Sequence, residues 1–236
     1  MIVIPMAGFS SRFFNAGYIV PKYMLDLNNQ TIFEWSLSSF KTYYEKDLFL
    51  FIIFDHYDTY NFVEAKIKKL GIANYRIITL KDRTLGQADT VYQGVKNIQY
   101  DDEIYIFNID SRLVEFKKLD SFPEKDGYLE VFKGEGEHWS FVLPGIGNKV
   151  LKTTEKERIS NLCSNGLYYF KSLKLYQEYF KKELSLNSGK ELYIAPMYNL
   201  YIKDGKEILY KLVEFSDIEF CGTPQEYIDT LNKIRV

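Results

Sequence analysis

An open, doubly wound α/β sheet that gains antiparallel strands in its second half is the fold class this chain predicts, and three observations predict it. The N-terminal half alternates short, continuous apolar runs with amphipathic stretches. The second half sets short strand candidates close together across glycine and proline turns. No repeat, low-complexity tract or Gly/Ser linker divides the 236 residues, so one domain spanning 1–236 is expected.

The elements follow in order. "MIVI" at 1–4, "LFLFIIF" at 48–54, "YRIITL" at 75–80 and "EIYIFNI" at 103–109 are mainly apolar runs that read as parallel strands covered on both faces. Between them, "TIFEWSLSSFKTYY" (31–44) follows a polar cap region. "DTYNFVEAKIKKLG" runs from a capping Asp58 to a terminating Gly71, and "QADTVYQGVKNI" spaces Ala88, Val91, Val95 and Ile98 at helical intervals. In the second half "GYLEVF", "WSFVL", "KVLKTT" and "NGLYYF" are short strands, with turns such as "PGIGNK" between them. Helices are expected at 173–184 and 191–203. In the tail "GTPQEYIDTLNKI", Thr223 as cap, Pro224 at the first helical position and Glu226 three residues after the cap form a capping box.

Composition narrows the function. Thirty basic residues scattered among 32 acidic ones leave a net charge of −2 and no basic stripe to track a phosphate backbone, so nucleic acid is not an expected partner. Cys163 and Cys221 lie far apart without metal-ligand spacing and read as buried, reduced thiols. An apolar run that starts at residue 1 and breaks at Pro5 is no secretory signal, and "LFLFIIF" is far short of the ~20 residues of a membrane span; a cytoplasmic protein with no membrane partner is expected. The 20 Tyr and 18 Phe are spread evenly and fit core positions. His56 and His138 stand outside every motif.

Ligands of open α/β sheets bind beyond the carboxyl ends of the strands, and "PMAGFSSRF" leaves the first of these. Its small residues let backbone N–H groups approach an anion, Ser10 and Ser11 add hydroxyl donors, and Arg12 with Lys22 of "VPKYML" supplies two cations, as a polyphosphate requires; a plain strand-to-helix turn is the alternative. Asp110 of "IFNIDSRL" suits a hard cation such as Mg²⁺ or caps the strand end. Gly86 in "TLGQADTV" lets backbone read a base edge or simply starts a helix. Glu155 and Lys156 of "KTTEKERIS" are, taken alone, a solvated charge pair.

Together these segments resemble a known family. "IPMAGFSSRF" followed by "GYIVPKYML" is similar to the signature of nucleotidyltransferases that activate sugar phosphates, Gly-Gly-x-Gly-Ser/Thr-Arg followed by Pro-Lys. The similarity continues through "LGQADTV", "FNID", "TTEKERIS", "NGLYYF" and "GTPQEY", most of the chain. It implies a Rossmann-like mixed sheet of the nucleotidyltransferase type. The implied enzyme moves a nucleoside monophosphate from a nucleoside triphosphate to a sugar 1-phosphate and releases pyrophosphate; the "PMAG" opening points by analogy to capsule and surface-glycan synthesis. By position, the resemblance has the backbone of Ala7 and Gly8, with Ser10 and Ser11, meet base and phosphates. Arg12 grips the phosphates that leave and Lys22 sits near the α-phosphate. Gly86 and Gln87 contact base or ribose, Asp110 binds Mg²⁺, Glu155 and Lys156 hold the acceptor's hydroxyls and phosphate, and Asn165 and Gly166 line the acceptor pocket. Residues 1–112 are then mainly the nucleotide half and 113–236 mainly the acceptor half.

The partners implied are a nucleoside triphosphate and a small phosphorylated acceptor; oligomeric state is left open. Ser10 stands where a third loop glycine is common, Lys81 stands where some members carry a base-reading glutamine, and Asp217 and Glu219 offer no clear register for a second metal ligand. Two rival readings of the acceptor chemistry are a cytidylyltransferase loading a phosphoalcohol or phosphoamine, and a glycosyltransferase, which would need a second carboxylate where this chain has Arg112 in "DSR". A nonenzymatic nucleotide-binding regulator would have no use for an acceptor site beside the cation pair.

Overall fold

The computed structural model describes residues 1–118, 125–187 and 189–235. In chain order the elements are β1 (Ile2–Met6), α1 (Ser11–Asn15), α2 (Ile32–Leu37), β2 (Leu48–Phe54), α3 (Thr59–Leu70), β3 (Asn74–Leu80), α4 (Gln87–Val95), β4 (Ile104–Phe107) and β5 (Ser111–Leu113). There follow β6 (Gly127–Lys133), β7 (Ser140–Pro144), β8 (Val150–Glu155), β9 (Leu162–Phe170), α5 (Leu173–Leu186), α6 (Ile194–Lys203), β10 (Ile208–Leu212), β11 (Ile218–Phe220) and α7 (Pro224–Arg235). Every strand and helix predicted above is present, but β3 ends the strand order with none of its residues buried and so is not covered on both faces; α1, β5, β10 and β11 are additions. No helix among the described residues is long and apolar enough to cross a membrane.

Local chemistry explains where boundaries moved. The stretch 31–44 begins as expected, with Thr31 and Glu34 closing a capping box, but its α-helix stops at Leu37 and a 3-10 turn with a non-helical Phe40 follows. Ser38 and Ser39 donate their hydroxyls to the carbonyls of Trp35 and Ser36, both at 2.6 Å, a local alternative to helical hydrogen bonding. Asp58 precedes α3 in a left-handed conformation and its side chain does not cap the helix; it accepts from Asn61 instead, while Asp55 takes the Tyr60 N–H. Gly71 ends α3 at φ +74°, a conformation that favours glycine. The capping box of α7 is present, with Thr223 N–H on Glu226 at 2.8 Å and Glu226 N–H on Thr223 at 3.2 Å.

The chain forms two compact units. One comprises Met1–Val3, Asp82–Phe107 and Lys118–Phe215. Its sheet runs in the order β10-β6-β9-β4-β1, with β7 paired to β8 and β9. The antiparallel partners of β9 were expected, whereas β10 joins β6 in parallel, from Ile208 on Gly127 to Leu212 on Val131. Its core is aromatic: the buried Tyr198 hydroxyl lies 2.9 Å from the carbonyls of both Tyr128 and Tyr169, and its ring stacks on Phe170.

The second unit comprises Ile4–Lys81, Asn108–Lys117 and Ser216–Val236. Within it β2 and β3 pair in parallel in full register, Leu48 on Asn74 to Phe54 on Leu80, and β5 with β11 forms a small antiparallel ribbon. Phe13 of α1 is buried among Leu25, Leu27, Ile32, Trp35 and Cys221, with Tyr18 and Tyr227 edge-on to its ring. Burying a phenylalanine stabilises by about 1.5–3 kcal/mol, so α1 is anchored one residue past Arg12. Both cysteines are buried and free.

Candidate active site

The second unit carries the small-residue loop expected to meet phosphates. Where β1 ends, Ser10 adopts φ 51° and ψ 30°, the left-handed region usually given to glycine. That conformation turns the chain into α1, whose Phe13 N–H bonds the Ser10 carbonyl at 2.9 Å, and leaves Ser11 and Arg12 exposed in the first turn. The Ser10 hydroxyl accepts the backbone N–H of Lys22 at 3.1 Å. Pro21, at φ −57° and ψ 146°, delivers Lys22 to a 3-10 turn, and the Lys22 ammonium pairs with the Asp110 carboxylate. Loop, lysine and aspartate are thus one connected chain of contacts. Asp110 is set by the ribbon: its carbonyl accepts Cys221 N–H at 2.7 Å, and a Cβ on Gly222 would lie 3.0 Å from its carboxylate oxygen.

The two late acids considered for a second metal ligand lie in or just before β11. Glu219 pairs with Arg112 at 2.6 Å across the ribbon, and Asp217 is exposed. No cluster of three His, Cys, Asp or Glu among the described residues suits a metal ion. Magnesium bound to a nucleotide takes one or two carboxylates and fills its remaining positions with phosphate oxygens and water, so the partly exposed Asp110 carboxylate is a ligand type that fits that ion, shared with the Lys22 ammonium it now pairs with.

Ala7, Gly8 and Ser11 also line a pocket of about 410 Å³ with Phe54, His56 and Tyr57. His56 lies parallel to Phe54 with ring centroids 5.2 Å apart, and Tyr57 stacks on Phe14 at 5.4 Å. Tyr57 and Asp58 are consecutive left-handed residues, at φ 59° and 55°. Sequence reasoning passed over this wall; the aromatic and histidine run "FDHY" at a strand's carboxyl end was its signal.

The first unit carries the remaining candidates. Gly86 precedes α4 at φ +130° and ψ −174°, and Gln87 is the first helical residue. The turn is closed by the Asp89 carboxylate, which accepts Leu85 N–H at 2.8 Å. Glu155 ends β8 and accepts a hydrogen bond from the Ser140 hydroxyl, which also contacts the Tyr168 hydroxyl at 3.3 Å. Burial pushes the Glu155 carboxyl up from its ordinary value, against the Ser140 bond. Lys156 follows in a left-handed conformation at φ 55°, its N–H held by the Trp139 carbonyl at 2.9 Å. Its ammonium donates to the Tyr193 hydroxyl at 2.8 Å, and Tyr193 donates to Glu191. The Tyr193 bond raises the Lys156 pKa.

Asn165 and Gly166 lie in β9 at a break in register, where Leu129 faces Tyr168 but Val131 faces Ser164. Gly166 takes φ +91°, as such a bulge requires. Asn165 is buried and braces the bulge, donating to Glu130 at 3.1 Å and accepting Leu167 N–H at 3.0 Å. Glu191 and Tyr193 escaped sequence reading because the helix was placed at 191–203; it starts at Ile194 and leaves them in an extended lead-in.

No family model and no curated protein matches the sequence. Among solved structures, the nucleoside-diphosphate-sugar pyrophosphorylase from Vibrio cholerae RC9 is 45% identical, with 98% of this chain and 100% of that chain covered and a TM-score of 0.94. The inositol-1-phosphate CTP transferase from T. maritima (16% identity, 99% and 95% covered, TM-score 0.76) and a UDP-glucose pyrophosphorylase solved with UDP-glucose (14%, 99% and 97%, 0.75) share the fold. With nearly half its residues identical over the full length of the Vibrio protein, this chain belongs to the nucleoside-diphosphate-sugar pyrophosphorylase family and is a nucleotidyltransferase enzyme.

Proposed function

We propose that the enzyme transfers a nucleoside monophosphate from a nucleoside triphosphate to a sugar 1-phosphate in the cytoplasm, releasing pyrophosphate and supplying an activated sugar for surface-polysaccharide synthesis. The observation that carries this reading is the Ser10–Lys22–Asp110 connection, which ties a small-residue loop to a cation and a carboxylate in one unit. An acceptor phosphate oxygen attacks the α-phosphorus; the new P–O bond forms as the bond to the β-phosphate oxygen breaks, and pyrophosphate carries away the electron pair. The attacking phosphate is already ionised, so no general base is needed and neither histidine is required. Such a displacement needs positioning and charge neutralisation. Arg12 takes the departing phosphates, Lys22 the α-phosphate, and the backbone of Ala7, Gly8, Ser10 and Ser11 the remaining oxygens. Gly86 and Gln87 serve the nucleoside. Asp110 would hold Mg²⁺, which when bound would supply charge compensation for the triphosphate.

In the acceptor set, Lys156 meets the phosphate, Glu155 a hydroxyl, and Gly166 shapes the pocket. A sugar is favoured over a phosphoamine because the Vibrio protein, 45% identical, is a nucleoside-diphosphate-sugar pyrophosphorylase. A screen of nucleoside triphosphates against sugar 1-phosphates, read by pyrophosphate release, tests the proposal. Turnover confined to phosphocholine-like acceptors would replace it with the cytidylyltransferase reading, and hydrolysis of a nucleotide sugar without pyrophosphate chemistry would replace it with the glycosyltransferase one.

A further inference from the structure

The residues just before α6 have no part in the reaction as written, yet they join two of its candidate segments inside one unit. Leu192 is clasped by backbone to the turn around Gly86: its N–H donates to the Leu85 carbonyl at 2.6 Å, and its carbonyl accepts Ala88 N–H at 3.0 Å. Gly86 has no space for a side chain, since a Cβ there would fall 2.5 Å from the Leu192 carbonyl oxygen and 2.8 Å from its nitrogen. On either side of Leu192 the side chains turn to other work. Tyr193 accepts from the Lys156 ammonium and donates to Glu191, and the charge of Glu191 also reaches Glu155. One short strap is thus fixed by its backbone at the Gly86 turn and by its side chains at the Glu155–Lys156 turn.

The direction of these hydrogen bonds matters. Because Tyr193 gives its proton to Glu191, its lone pairs are left to face Lys156. A phenol oxygen takes only one of the three ammonium protons and leaves the charge intact, whereas a carboxylate partner would neutralise it. The lysine is held at the end of a flexible four-carbon stem and keeps two donors and a full charge for an anion. Pre-ordering of this kind lowers the freedom lost on binding.

We propose that Glu191–Tyr193 is a positioning strap for the acceptor: Tyr193 sets where the Lys156 ammonium stands, and Glu191, by accepting the Tyr193 proton, keeps the phenol's lone pairs turned to that ammonium. The proposal rests on the reading of Lys156 as the acceptor-phosphate residue. The substitution Tyr193→Phe keeps the ring and removes the oxygen. It is expected to raise the KM for a sugar 1-phosphate on the order of tenfold, the loss of one charge-assisted hydrogen bond, while the KM for the triphosphate stays within about twofold. Glu191→Gln, which weakens the acceptor of the Tyr193 proton, should raise the sugar 1-phosphate KM in the same direction by a smaller factor. A role confined to folding would instead lower the melting temperature and affect both substrates alike.

Lys156→Ala, measured alongside, separates the two levels of the argument. If Lys156→Ala raises the acceptor KM and Tyr193→Phe leaves it within twofold of the wild-type value, the strap is refuted and the acceptor site stands. If neither variant changes it, the assignment of Lys156 fails and the strap fails with it.

Discussion

Replacing Gly86 with alanine should unfold the enzyme at a markedly lower temperature, and the structure says by how much. At φ +130° and ψ −174° Gly86 occupies a region essentially closed to residues with a Cβ, which costs on the order of 1–3 kcal/mol. The added methyl also meets backbone, 2.5 Å from the Leu192 oxygen and 2.8 Å from its nitrogen, and not the yielding end of a side chain. Leu192 must therefore withdraw, which breaks its hydrogen bonds to Leu85 and Ala88 at about 1 kcal/mol each. The sum, about 3–5 kcal/mol, is a large share of the roughly 5–15 kcal/mol that stabilises a folded protein, and for a chain of this size corresponds to a fall of roughly 10 °C in Tm. Thermal melting without ligands measures it. The acceptor KM should rise as well, because the strap that holds Tyr193 is displaced. Gly8→Ala is the matched control: nothing lies within 4 Å of its added methyl, so its Tm should stay near wild type while triphosphate turnover falls. A Gly86→Ala enzyme that melts within about 2 °C of wild type would refute both the close-packing argument and the clasp.

Arg12→Ala should reduce kcat/KM more than tenfold, above ~1.4 kcal/mol, with no change in Tm, because Arg12 is exposed and packs against no core; a variant retaining more than a tenth of the wild-type value removes Arg12 from phosphate binding. Activity should vanish in excess chelator, and Asp110→Asn should raise the Mg²⁺ concentration needed for half-maximal turnover; full activity without a divalent cation would contradict both. Acid stability should depend on Glu34. Burial raises its pKa, but Lys66 at 2.8 Å, Lys69 at 2.7 Å and Thr31 outweigh that and hold it at about 2. A depressed folded pKa stabilises the fold above the ordinary glutamate value of 4.5, and that contribution is lost as pH falls toward 2. Glu34→Gln should thus be less stable at neutral pH and lose stability less steeply on acidification in denaturant titrations at several pH values.

Hydrophobic patterning carried most of the fold. "LFLFIIF" marks β2 to the residue, and "NFVEAKIKKLG" locates α3 and its glycine stop, because a run buried on both faces and an amphipathic repeat are each written in many residues at once. The three-residue strands β5 and β11 are too short to carry any period, whereas β10, an apolar run just past the Asp204–Gly205 turn, was legible in the sequence. The site was legible in residue types and illegible in conformation. Arg12, Lys22, Asp110 and Lys156 could be chosen from the sequence, but not the left-handed backbone of Lys156 or the Lys22–Asp110 contact across 88 positions. Tyr193 was hidden by a boundary three residues too early, which turned an extended strap into a helix's first turn.

The departure at Ser10 shows how residue type and conformation are reconciled here. A glycine would enter the left-handed region freely, whereas serine does so at a cost on the order of 1 kcal/mol. What serine adds is its hydroxyl, which accepts the Lys22 N–H and is worth a similar amount. The exchange is nearly neutral in stability, yet its geometric effect is not neutral. A glycine loop would leave the segment around Pro21 free to move relative to the phosphate turn, and the serine bond fixes the two together at the residue whose ammonium faces Asp110. Arg12, two residues along the same turn, and Lys22, twelve residues on from Ser10, are thereby held in one frame. If the two side chains act on one triphosphate as proposed, this tie between their backbone positions would help, because freedom already removed in the unliganded protein is not lost again on binding.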